Sequence, residues 1–136
     1  MFVPTRAGDA GAAQVYHTFE MIFDHLTFGS IRIDGIEYNH DVIVDCGEIR
    51  KRRKGPSKAF RSQFGHTPLT TSEEIPWRCH RLVIGTGIYG RLPIDPDVVR
   101  EAERRKVELV MVPTQQAVAM LNEQPLHTNA VLHLTC

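Results

Sequence analysis

Apolar residues recur along this chain with two different periods, and the change of period divides it. The stretch FGSIRIDGIEY, Phe28 to Tyr38, alternates apolar and polar positions around Asp34-Gly35. An Asp-Gly pair between alternating runs predicts a tight hairpin, because both residues tolerate positive φ. Val42-Ile43-Val44 predicts a further strand, and Cys46-Gly47 a turn into Glu48-Ile49-Arg50-Lys51, which Gly55-Pro56-Ser57 breaks. Residues 58–71 read mostly as connection. Ser72 followed by Glu73 and Glu74 reads as a helix start that Pro76 limits to a turn or two.

Beyond Pro76 the pattern becomes strand, helix, strand, helix, strand. Leu82 to Ile84 is a short apolar strand. Asp95 is placed to cap a helix with Pro96 at its first position, and Val98, Val99, Ala102 and Arg105 keep helical spacing to about Lys106. Val107 to Val112 is nearly continuous in apolar residues, which predicts a strand covered on both faces of a parallel sheet. Thr114 is placed to cap a second helix running to about Glu123, with Ala117, Val118 and Leu121 inward, and Ala130 to Leu134 predicts a closing strand. The expected fold class is therefore α/β. It is a three-layer single domain with a mixed central sheet, a β-hairpin subdomain on the N-terminal side and the alternating C-terminal half.

Residues 1–20, rich in Ala and Gly, read as a loosely ordered extension ahead of a single domain at 21–136. Val15, Phe19, Ile22, Phe23 and Leu26 fit one helical face, while the run from Met21 fits the start of a strand; the pattern leaves both open.

The chemistry with the strongest local signature is RLVIGTGIYGRLPIDPD, where Gly85, Gly87 and Gly90 spell G-x-G-x-x-G after an apolar strand. A dinucleotide-binding loop further needs a helix opening at the third glycine and an acid ending the second strand. Here Pro93 and Pro96 delay the helix to Asp95, and the second strand ends Met111-Val112-Pro113-Thr114 with no carboxylate. NAD, NADP and FAD are therefore not expected, and no cofactor is. Close packing and a tight turn account for the glycines on their own. If they serve a ligand, Gly85, Thr86, Gly87, Thr114 and Gln115 gather at the carboxyl ends of parallel strands and at a helix N-terminus, where a small anion or carbonyl would sit. His66, in the loop GHTPL, is a further candidate lining residue, or a turn former.

Net charge is zero but unevenly spread: residues 45–61 hold seven basic residues against two acids, and the rest of the chain holds nine against fourteen. Arg50, Lys51, Arg52, Arg53 and Lys54 are candidates for contact with an anionic partner. On a strand, Arg50, Arg52 and Lys54 share one face and Lys51 and Arg53 the other, as in a solvated hairpin. No aromatic residues interleave to stack bases, so specific nucleic-acid binding is not expected. Three widely spaced cysteines, Cys46, Cys79 and Cys136, offer neither a disulfide framework nor a zinc site. His133 and Cys136, as H-x-x-C, are two ligands short of a metal site, and on an extended segment they point apart. No catalytic residue and no metal site is assigned. Trp77 reads as packing. The apolar runs are too short to span a bilayer, the N-terminus does not read as a secretory signal, and a cytoplasmic location is expected.

Six stretches in order carry a resemblance: IDGIEYNHDVIV (33–44), RKRRK (50–54), GHTPL (65–69), VIGTG (83–87), VPTQQAVAMLN (112–122) and HLTC (133–136). Together they resemble a family of small proteins labelled a domain of unknown function. It includes the adipogenesis-associated domain-containing protein, a mitochondrial NADH:ubiquinone oxidoreductase assembly factor and short prokaryotic members, to which this chain looks most similar. The resemblance spans about residues 28–136. It implies a three-layer domain and no agreed catalytic residues. Three function classes follow. The first is a non-catalytic accessory or assembly-type protein binding a protein partner. The second is a small-molecule or anion-binding domain at the Gly85–Gly87 loop and Thr114. The third is an enzyme with an unrecognised site there.

Overall fold

The computed structural model describes residues 21–136; the N-terminal extension expected at 1–20 lies outside the described residues. Among the described residues eight strands form two sheets. Strands β1 (Phe23–Thr27), β2 (Ser30–Ile33) and β3 (Ile36–Tyr38) make an antiparallel three-stranded sheet. Strands β4 (Val42–Asp45), β5 (Glu48–Lys51), β6 (Arg81–Thr86), β7 (Glu108–Val112) and β8 (Thr128–His133) make the central sheet, in the order β5-β4-β8-β6-β7. That sheet is mixed: β6 is parallel to both β7 and β8, while β4 is antiparallel to β5 and β8. The helices are α1 (Arg61–Phe64), which follows a 3-10 turn at Gly55–Phe60, α2 (Pro96–Arg105) and α3 (Thr114–Glu123).

The turn chemistry is as read from the sequence. Asp34-Gly35 and Cys46-Gly47 both take positive φ, at 51° and 83° and at 51° and 85°. This is the left-handed pair that a two-residue hairpin needs. The second hairpin, however, is not a separate subdomain: β4 pairs with β8 and so joins the central sheet.

Alternation along the central strands feeds two cores. Val42, Val44, Val83, Ala130 and Leu132 face α3 and the small sheet, where Phe23, Ile31, Ile33, Ala117 and Leu121 meet them. Ile43, Leu82, Ile84 and Val131 face α2 and the 69–94 connection, against Leu69, Leu92 and Val98. Burial on both faces explains why these strands read as continuous apolar runs.

Three expectations need correction. The apolar run before Val112 is not covered on both faces: β7 is the edge of the sheet, and Met111 remains 45% exposed. Ser72-Glu73-Glu74 starts no helix, because Glu73 turns inward to meet a buried arginine. Thr114 does not cap α3. Pro113 stands at the N-cap, and the Thr114 hydroxyl is engaged elsewhere. By contrast Asp95 caps α2 as expected, accepting from the Asp97 amide at 2.9 Å.

Candidate functional site

The carboxyl ends of β6 and β8, where ligands of open α/β sheets gather, are filled by the chain itself. Gly87, with φ at +112°, donates its N–H to Thr114 Oγ1 at 2.8 Å, and that hydroxyl donates in turn to the carbonyl of His133 at 2.6 Å. Ile88 N–H donates to Thr135 O at 2.7 Å and Arg91 N–H to Cys136 O at 2.9 Å. A Cβ at Gly87 would overlap the Cys136 carbonyl group, and one at Gly85 would come within 2.9 Å of Thr114 Oγ1. Both glycines are thus required by close approach of the chain's own segments. Gly85, Thr86, Gly87 and Thr114 do come together and are buried; Gln115 is exposed at the start of α3, and His66 is exposed after α1.

Behind this end lies an ion network that sequence reasoning missed. Arg52 follows β5 and is 4% exposed. Its Nε and Nη2 donate to the two oxygens of Glu73 at 2.8 and 2.9 Å, its Nη1 to Asp41 at 2.9 Å, and Nη2 also to Pro68 O at 3.2 Å. Ser57 Oγ donates its one proton to Glu73 at 2.5 Å, so at 2.7 Å it accepts from the Thr70 hydroxyl. Asp41 also accepts from Leu134 N–H at 2.9 Å and from His133 Nδ1 at 2.7 Å.

Burial alone would raise the Asp41 pKa. The His133 hydrogen bond and charge, the Leu134 amide and Arg52 override it and hold the carboxyl down at about 2. Asp41 is therefore an acceptor only, so in their hydrogen bond His133 donates through Nδ1–H. Its Nε2 faces Thr135 Oγ1 at 3.3 Å. Asp41, His133 and Thr135 have the order of an acyl-transfer triad, a base–hydroxyl pairing the sequence did not suggest. The hydroxyl lies beyond close hydrogen-bond reach, and Arg52 shares the carboxylate. In this arrangement the relay fixes the end of β8.

Of the basic run, then, Arg52 is not on the surface. Lys51, Arg53 and Lys54 are exposed, and Arg50 leans on Asp45 at 3.4 Å and on Glu74 O at 3.1 Å. Over the closed end sit two exposed aromatics, Phe28 (57%) and Tyr89 (67%), with ring centroids 6.2 Å apart. The Arg91 guanidinium lies 6.0 Å from the Tyr89 ring.

The opposite end of the sheet is open. A cavity of about 350 Å³ lies among the Cys46-Gly47 turn, residues 78–80 leading into β6, the end of α3 and residues 125–129. Burial pushes the Cys79 thiol up to about 11, and burial together with Asp45 raises Cys46. Neither cysteine is a reactive thiolate near neutral pH. Among the described residues no group of three or more His, Cys, Asp or Glu side chains is placed to hold a metal ion.

A family model described as "Protein of unknown function (DUF498/DUF598)" matches residues 23–128. The chain belongs to the DUF498/DUF598 family. No curated protein matches it. A conserved hypothetical protein from Pyrococcus horikoshii OT3 is similar at 28% identity and a TM-score of 0.70, over 85% of this chain and all of that one. Two other structures share the fold. A Mth938-like domain from Bordetella pertussis is 16% identical at a TM-score of 0.57, over 96% of this chain and 92% of its own. A protein from Bartonella henselae described as an outer membrane protein is 15% identical at 0.60, over 86% and 97%. In the described residues of this DUF498/DUF598 chain no helix is long and apolar enough to cross a membrane.

Proposed function

We propose that this DUF498/DUF598 domain is a non-catalytic accessory protein that binds a protein partner through the face formed by Phe28, Tyr89 and Arg91. The observation that carries the reading is the exposed aromatic pair. Two large rings in contact on the surface, flanked by a guanidinium, are the residue types that dominate interface energetics. They are also held in place. Gly29 N–H donates to Leu134 O at 2.7 Å, and Ile88 and Arg91 donate to Thr135 and Cys136. Both loops are thus tied to one C-terminal segment, and little ordering entropy is lost on docking. The family's assembly-factor members, named by the resemblance, agree with this reading. The complement would be a partner presenting an apolar anchor beside a carboxylate.

Affinity capture from the native cell extract tests it. The wild-type chain is expected to retain a partner that the double variant Phe28→Ala/Tyr89→Ala loses, while Arg53→Ala/Lys54→Ala keeps it. Equal capture by the wild type and the aromatic double variant would contradict the reading. Loss only in the Arg53/Lys54 variant would move the interface to the basic run.

A further inference from the structure

The open end has a chemistry of its own, independent of the aromatic face. The cavity floor is the core itself: Phe23, Val44 and Leu121, all buried, line it from below. Half-buried Met21 and exposed Leu126 continue the apolar wall to the rim. Its buried polar groups are turned inward on the chain. Asn129 accepts from Cys46 N–H at 2.9 Å and donates to Pro76 O and Arg78 O at 2.9 and 3.3 Å. Thr128 Oγ1 donates to Leu126 O at 3.0 Å and accepts from Arg81. The thiols of Cys46 and Cys79 face the carbonyls of Arg78 and Pro76. These contacts engage the buried polar side chains and leave the inner wall apolar below a polar rim.

Charge breaks that pattern at one place. Among the described residues nothing accepts a hydrogen bond from the Arg78 guanidinium or forms an ion pair with it. Arg81, the neighbouring cation, is spent on Gln124 and Thr128. Asp45, the carboxylate next to the Cys46 turn, is paired with Arg50. Two imidazoles, His80 and His127, stack at 4.6 Å on the same rim. An apolar chamber with one uncommitted guanidinium at its mouth is complementary to a molecule with an apolar body and a single planar anionic end. Guanidinium matches carboxylate in bidentate geometry. The volume lies at the small end of the range for ligand pockets.

We propose that this cavity binds a small monocarboxylic acid with an apolar body, its tail against Phe23, Val44 and Leu121 and its carboxylate on Arg78.

Titrations of the full chain with octanoate, 1-octanol and inorganic phosphate, followed by backbone amide shifts, test this. Octanoate is expected to give saturable shifts at residues 46–47, 78–80 and 126–129, with a dissociation constant below roughly a millimolar. Octanol should shift the same residues more weakly, and phosphate should not saturate there. Arg78→Gln should weaken octanoate roughly tenfold and leave octanol unchanged, as expected for one lost charge-assisted contact. Leu126→Trp, which narrows the mouth from an exposed position, should weaken both. Absence of saturable octanoate shifts would overturn the proposal. So would equal binding of octanol and octanoate with no effect of Arg78→Gln. Phosphate saturating at Arg78 as well as octanoate does would show a bare surface cation and overturn it too.

Discussion

The two ends of the central sheet differ in where their polar groups are spent. At the carboxyl ends of β6 and β8, Gly87 N–H, the Thr114 hydroxyl, Asp41, His133, Arg52 and Glu73 all find partners within the chain. At the amino ends the buried side-chain polar atoms also close on the chain, but a cavity lies between the segments and, among the described residues, the Arg78 guanidinium has no hydrogen-bond or ion-pair partner. The difference follows from packing. The C-terminal segment passes over Gly87 and plugs one end, whereas at the other the α3 terminus and the Cys46 turn stand apart. An end rich in glycine and hydroxyls is therefore no sign of a ligand site when a neighbouring segment is the acceptor.

The contrast is broken most strongly at Arg52. Arg52→Ala leaves Glu73 buried without its partner and should cost about 3–5 kcal/mol in urea unfolding. Arg52→Met/Glu73→Leu, which removes both charges, should recover most of that loss. A single-variant cost below 1 kcal/mol would mean the pair behaves as a surface ion pair. Gly87→Ala comes next. It forces an alanine to a positive φ and against Cys136, and should cost about 2–3 kcal/mol by thermal or urea unfolding. A neutral result would show that the C-terminal segment moves aside.

Much of the fold was legible, and the failures share a cause. Turns written in adjacent residues, Asp34-Gly35 and Cys46-Gly47, and the cap at Asp95 are legible in the sequence because their chemistry is local. On a strand running through Lys54, Arg52 would share an outward face with Arg50, as in a solvated ribbon. The strand stops at Lys51, but Arg52 N–H still bonds to Asp41 O, and the face it shares with Arg50 is covered by the connection carrying Pro68, Glu73 and Glu74, so Arg52 meets a carboxylate 21 residues away. Asp41 and His133 are 92 residues apart, and no spacing rule joins them. Thr114 looked like a cap because it stands before a helix; its register opposite Gly87 is a tertiary fact. The cavity draws on separate segments and has no motif. An acid among turn residues at Glu73 and a lone Asp at Asp41, against one basic run, were the only hints of the network.

Acid should separate the two ends. The folded-state pKa of Asp41, about 2, lies below that of an unfolded aspartate. Its contribution is present in full above about pH 4 and lost as pH falls toward 2. Unfolding free energy should therefore drop by about 2 kcal/mol over that window from this group. In Asp41→Asn that part of the drop should vanish. An unchanged acid profile in the variant would contradict the assignment. Arg78→Gln, at the open end, should shift stability by no more than about 0.5 kcal/mol. A larger loss would show that Arg78 is structural and not held for a ligand.

The sealing of the carboxyl end is tested most directly by hydrogen exchange of the Gly87 amide in the native chain. That amide is held by Thr114 and covered by Cys136. It should exchange at rates within about tenfold of the slow amides in β6 and β8, since it opens only when that end unfolds. Fast exchange at Gly87 beside protected β6 amides would show an amide free for a ligand, and would contradict the account.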